Sequence, residues 1–132
     1  LVPTPLDARD TEAVRAVMRE SDAAMSALPY YFNLEMARHA ADVGTHFCDL
    51  GGNTEIVEQQ KAFAPRARET GASIIPDCGL APGMVNILAQ HGIDLVRRDG
   101  AAVRAVRIYV GGLPQQPEPP LHYQIVYSLE GV

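Results

Sequence analysis

Lysine is nearly absent: Lys61 is the only one in 132 residues. That excludes a Gly-Lys-Ser/Thr phosphate loop and leaves any lysine-based chemistry to one side chain. Tryptophan is missing, aromatic residues make up 6%, and cysteine occurs only twice. Two cysteines cannot build a disulfide framework, so a reduced, cytoplasmic protein is the expectation. Basic residues number 11 against 16 acidic ones, for a net charge of −5, and they are scattered. Without a basic stripe nothing tracks a phosphate backbone, and nucleic acid is not an expected partner. No apolar run reaches the ~18–20 residues of a membrane span. The opening LVPTPLDARD lacks the basic-then-apolar order of a signal peptide. Neither a His-Glu-x-x-His helix nor a Gly-x-Ser-x-Gly elbow occurs. What remains is 47% hydrophobic and 20% charged, a globular chain of ordinary one-domain length.

The apolar pattern alternates between two periods. Ala13, Val14, Val17 and Met18 recur at helical spacing between Asp10 and Glu20, with Asp10 and Thr11 as N-cap candidates. Asp22–Leu28 is a short buried strand stopped by Pro29, and a helix over Tyr31–Val43 carries Phe32, Met36, Ala40 and Val43 to Gly44. Thr45–Asp49 is the next strand, Gly51-Gly52-Asn53 a turn and cap, and Thr54–Glu69 a helix closed by Gly71, with Pro65 as its weak point. Ala72–Ile75 is a third strand, and Gly79–Gly83 opens a helix over Pro82–Arg97. Strands alternating with helices predict an α/β fold with a parallel, helix-covered sheet.

The texture changes after Asp99-Gly100. Residues Val103–Val110 read as a strand, Pro114–Pro120 as an irregular connection holding four of the ten prolines, and Leu121–Ser128 as a second strand. These strands are expected to be antiparallel and to belong to another layer. The expected division is residues 1–99 and residues 100–132.

In open parallel sheets ligands sit beyond the carboxyl ends of the strands. Three segments fall there: Leu28-Pro-Tyr30, Cys48–Asn53 and Pro76–Gly83. The last two bring glycine turns to helix starts, where free amides and the helix dipole favour anions. Such glycines equally serve tight strand-to-helix turns, and the two readings stand side by side. His46, Cys48, Asp49, Asp77 and Cys78 cluster along this edge in sequence, but strand alternation sends Cys48 and Asp49 to opposite faces. Their spacing matches no zinc pattern, so no metal is expected and a metal-dependent hydrolase is the weakest reading. A Cys48–Cys78 disulfide is conceivable on neighbouring strands, and a reducing compartment argues against it. His39, His91 and His122 read as helix-surface or loop residues. Tyr30 is the aromatic most suited to meet a ligand, or else a packed core ring.

Taken together, several motifs point one way. Leu28-Pro-Tyr30 follows a strand, Gly79-Leu-Ala-Pro-Gly83-Met-Val-Asn86 opens a helix, and Gly111-Gly-Leu-Pro114 precedes a proline-rich loop. Leu6–Asp10 before a helix and the strand His46–Leu50 support them. In this order the chain resembles the saccharopine dehydrogenase and lysine 6-dehydrogenase family of NAD(P)-dependent amino-acid oxidoreductases. The resemblance implies hydride transfer between a nicotinamide and an amine-bearing carbon, giving an imine that water opens. It implies that Asp7, Asp10, Ala27, Leu28 and Pro29 line the cofactor. It implies further that Tyr30, Asp49, Gly79, Leu80, Pro82, Gly83 and Asn86 face the amino-acid substrate. Asp49 is its catalytic candidate, to bind the substrate ammonium or assist proton removal.

The family's Gly-x-Gly-x-x-Gly turn is absent. The expectation is therefore an internal fragment: the second half of a Rossmann-like doubly wound sheet, followed by the start of a substrate or dimerisation domain. Such a piece is expected to be nearly inactive and to bind NAD or NADP weakly. A non-catalytic, self-associating or small-ligand-binding module is the alternative. Homo-oligomers are expected through the exposed sheet edge or the C-terminal strands.

Overall fold

The computed structural model describes residues 2–123, in two compact units that divide the chain at Leu1–Gly83 and Met84–Val132. The first unit holds three parallel strands in the order β1 (Ala23–Ser26), β2 (His46–Asp49), β3 (Ile74–Ile75). Helices α1 (Thr11–Arg19), α2 (Asn33–Val43), α3 (Thr54–Gln60) and α4 (Ala64–Thr70) precede or connect them. This is the α/β architecture that the alternation implied, and the Rossmann-like one that the family resemblance implied.

Local chemistry sets the element ends. The Asp10 carboxylate accepts from the Ala13 N–H at 3.0 Å and caps α1, and Asn53 does the same for Ile56 at 3.1 Å on α3. The expected Thr54–Glu69 helix is instead two helices joined by a 3-10 turn at Lys61–Phe63. Pro65 is the cause: it has no N–H to continue α3 and takes a place in the first turn of α4 instead. A 3-10 turn at Tyr30–Phe32 likewise delays α2 to Asn33, two residues beyond the expected start.

The register places alternate residues on two faces. Ala24, Phe47 and Ile74 form one row, which packs on Val14 and Met18 of α1 and on Met36, Ala37 and Ala40 of α2. Ala37 and Ala40 are fully buried, and their small side chains let α2 lie close against the strands. Met25, Cys48 and Ile75 form the opposite row, in which Met25 and Ile75 are exposed. On β1, the Asp22 and Ser26 carbonyls accept from His46 and Leu50 of the β2 segment. Alternation therefore turns the Ala23 and Met25 backbone groups outward, along an edge that no other strand among the described residues covers. Asp42 ties the helices together, pairing with Arg15 of α1 at 3.1 Å, Arg38 of α2 at 3.8 Å and Arg66 of α4 at 3.6 Å.

Two histidines differ from expectation. His39 is not on a surface: it is 1% exposed, because α2 buries a wide face. Among the described residues its Nδ1 has no hydrogen-bond partner, and burial, with the Arg38 charge next, pushes its pKa below the usual value. Arg15 opposes protonation, while Glu35 and Asp42 favour it. The unfolded chain thus takes up a proton near pH ~6.5 that the fold resists, and stability falls as pH drops below that point. Urea midpoints at pH 5.0 and 7.5 are expected to differ, and His39→Leu is expected to remove most of the difference. His46 lies at the amino end of β2, paired with Ala23, and its Nδ1 accepts from the Ser73 N–H at 3.1 Å. It is therefore at the far end of the strand from Asp49.

The second unit contains α5 (Met84–Arg98). Pro82 precedes this helix by two residues and is not in its first turn. His91 is exposed on α5 and His122 is exposed in a turn. Val103–Val110, expected as a strand, pairs with no strand among the described residues, since alternation alone supplies no neighbouring ladder for its N–H and C=O groups. The expected strand Leu121–Ser128 lies mostly outside the described residues. Among the described residues no helix is long and apolar enough to cross a membrane.

Candidate functional site

Three loops meet at the carboxyl edge of the sheet, and Asp49, the last residue of β2, sits under them. It is 1% exposed. Its Oδ1 accepts from the Gly51 N–H at 2.7 Å and the Asp77 N–H at 3.2 Å, and its Oδ2 accepts from Gln60 Nε2 at 2.8 Å. Its carbonyl accepts from the Cys78 N–H at 2.8 Å. One carboxylate therefore holds the loop after β2, the loop after β3 and the end of α3. A buried carboxylate with several N–H donors is a strong tie, since each donor would otherwise be left without a partner.

Gln60 and Asn33 complete this polar layer. Gln60 Nε2 also donates to the Asn33 carbonyl at 3.2 Å, and Ser26 Oγ donates to Asn33 Oδ1 at 2.7 Å. Neither Asn33 nor Gln60 was singled out from the sequence. The available signal was spacing: Gln60 continues the inward stripe of Ile56 and Val57, so its amide had to be buried and bonded.

The glycines serve close approach. A Cβ on Gly79 would stand 2.3 Å from the Leu50 carbonyl oxygen, and one on Gly51 would stand 2.2 Å from Asp77 Oδ1. The Gly79–Gly83 turn is thus pressed onto the loop after β2. Gly52 faces Tyr30 in the same way, with a would-be Cβ 3.2 Å from Tyr30 Cβ. Tyr30 is half-buried and its ring meets Tyr31 edge-on, with centroids 5.8 Å apart. Asp77 adopts φ 60°, and burial, with the Asp49 charge second, holds its carboxyl above the usual range.

The expected residues fall into groups. Tyr30, Asp49 and Gly79–Gly83 come together on this edge, with Leu80 and Pro82 exposed and Gly83 half-buried. Asn86 lies in the other unit, in the first turn of α5. Ala27 and Leu28 line a groove of about 340 Å³ with Leu6, Ala8, Val14 and Met25. Pro29 is exposed next to them. Asp7 and Asp10 spend their carboxylates locally, accepting from the Arg9 and Ala13 N–H groups. Among the described residues no three His, Cys, Asp or Glu side chains converge as metal ligands would.

Comparison with known proteins decides the family. Residues 1–75 match the family described as the saccharopine dehydrogenase NADP binding domain. The chain belongs to the saccharopine dehydrogenase family. Residues 79–132 match the family's C-terminal domain. Among its relatives is the saccharopine dehydrogenase (NADP(+), L-glutamate-forming) of Saccharomyces cerevisiae. It is 29% identical over 129 residues, which are 96% of this chain and 28% of that protein. The mitochondrial alpha-aminoadipic semialdehyde synthase of Rattus norvegicus is 25% identical over 126 residues, 94% of this chain and 13% of the relative. The solved structure of apo saccharopine dehydrogenase (L-Glu forming) from Saccharomyces cerevisiae superposes with a TM-score of 0.59 at 25% identity. It covers 72% of this chain and 21% of that one. The chain thus spans less than a third of the length of the curated relatives it matches.

Proposed function

We propose that this chain is part of an NAD(P)-dependent amino-acid dehydrogenase acting on an amine-bearing carbon, of the saccharopine or lysine 6-dehydrogenase kind. The observation that carries this reading is the groove along β1. Leu6 and Ala8 from before α1 line it together with Ala27 and Leu28 from the end of β1. These are the two segments that the family resemblance assigned to the cofactor. Their apolar surfaces fit the flat faces of adenine or nicotinamide, and the nicotinamide, when bound, accepts or donates the hydride. The phosphates find no Gly-x-Gly-x-x-Gly turn in this sequence.

In this reading Leu28 and Pro29 bound the nicotinamide side, and Tyr30 with the Gly79–Gly83 turn frames the amino acid. Leu80 and Pro82 give that turn an apolar rim. Asp49 works as a positioning residue: both its oxygens are occupied and buried, so it acts through the Gly51 and Asp77 backbone it fixes. The functional boundary near residues 99/100, a cytoplasmic location and a homo-oligomer paired along the free edge of β1 belong to the same proposal.

Titration with NADPH and NADH, followed by nicotinamide fluorescence, tests the cofactor reading. Binding is expected to be weak, in the range of about 0.1–1 mM, and weaker still for Leu28→Asp. Submicromolar affinity would contradict the absence of a phosphate turn, and an affinity unchanged in Leu28→Asp would place the ring elsewhere.

A further inference from the structure

The two cysteines meet at the carboxyl edge. Cys48 is in register with Ile75 of β3, on the row opposite the core. The Cys78 N–H donates to the Asp49 carbonyl, which seats Cys78 beside the end of β2. Its thiol turns back to within 3.4 Å of the carbonyl of Ile75, the residue paired with Cys48 in the sheet, so the two cysteines are near neighbours. Cys78 is exposed, Cys48 is half-buried, and the chain has no other cysteine.

We propose that Cys48 and Cys78 are a reversible redox pair, oxidised by low-molecular-weight disulfides to a bond that ties β2 to the loop after β3. Thiols on neighbouring positions need only a modest approach to reach the ~2.05 Å of a disulfide. Exposure sets the order of events. The Cys78 thiolate attacks one sulfur of the small disulfide, breaks its S–S bond and expels one thiolate. The Cys48 thiolate then attacks the Cys78 sulfur of the mixed disulfide and expels the second. Two electrons pass from the cysteines to the small disulfide, and their two protons pass through solvent to the released thiolates.

The surroundings make the first step pH-dependent. The Cys78 thiol is held above its ordinary range by burial first, and then by Cys48 and Asp49 on β2 and Asp77 after β3. Its thiolate is scarce at neutral pH, so the oxidation rate keeps climbing well into the alkaline range.

Treatment of the reduced chain with excess oxidised glutathione at pH 8, followed by alkylation and tryptic mapping without reductant, tests the pair. The peptide 39–61 is expected joined to the peptide 69–97, with both thiols lost together. The cross-link should exceed the Cys78 mixed disulfide by at least about tenfold, because the second thiol is already in place. In Cys48→Ser the reaction should stop at the glutathione adduct on Cys78. A stable adduct in the unmutated chain with Cys48 still alkylated, or a bond between two chains, would overturn the proposal.

Discussion

Replacing Asp49 with alanine is expected to lower the unfolding free energy by about 3–5 kcal/mol. The carboxylate accepts from the Gly51 and Asp77 amides and from Gln60, at a position 1% exposed. Truncation leaves these donors without an acceptor in a place that water reaches poorly, and each orphan costs about 1–3 kcal/mol. Asp49→Asn keeps an acceptor for the amides but sets a second N–H group against Gln60 Nε2, so its cost should be smaller, about 1–2 kcal/mol. Urea denaturation measures both. Hydrogen exchange locates the cause, since the Gly51 and Asp77 amides should lose protection in the alanine variant before the rest of β2 does. A cost below about 1 kcal/mol for Asp49→Ala, within the range of an ordinary surface change, would mean that the buried carboxylate is not the tie described here.

Gly79→Ala is expected to cost about 2–3 kcal/mol. The added methyl would stand 2.3 Å from the Leu50 carbonyl oxygen and 3.2 Å from its carbon. A flexible side chain could turn away from such a clash, whereas a backbone carbonyl moves only if the loop after β2 moves with it. The turn and that loop are held by the Asp49 bonds, so the strain should spread to Asp77 and Tyr30. Denaturation should show the loss, and amide chemical shifts should change at Leu50–Gly52 as well as at residues 79–83. A variant as stable as the parent, with shifts confined to residue 79, would show that the close approach is not required. Such an outcome would return the glycines of this turn to the anion-binding reading.

Much of the fold was legible because apolar runs of two different periods alternate along the chain. Strand-length runs such as Thr45–Asp49 and helical stripes such as Val14/Met18 leave few arrangements besides parallel strands under helices. Caps were legible for the same local reason: the Asp10 and Asn53 side chains reach amides three residues away, whatever the rest of the molecule does. Pro65 marked a weak point, but only the packed chain shows it turning one helix into two. The candidate site was legible as three loops and as a family resemblance carried by their motifs.

What each site residue does was decided elsewhere. The sequence by itself determined the α/β class, the family motifs and the placement of Tyr30, Asp49 and Gly79–Gly83 near one edge, because these follow from local periodicity and chain order. Only the tertiary structure decided that Asp49 faces inward onto Gln60, that His39 is buried, and that Cys78 is seated beside the end of β2 that carries Cys48. The first depends on β2 meeting the end of α3, 11 residues on, and the last on β2 meeting the loop after β3. The same dependence governs Val103–Val110, whose alternation suits a strand but which pairs with no strand among the described residues, because periodicity cannot provide a neighbouring ladder.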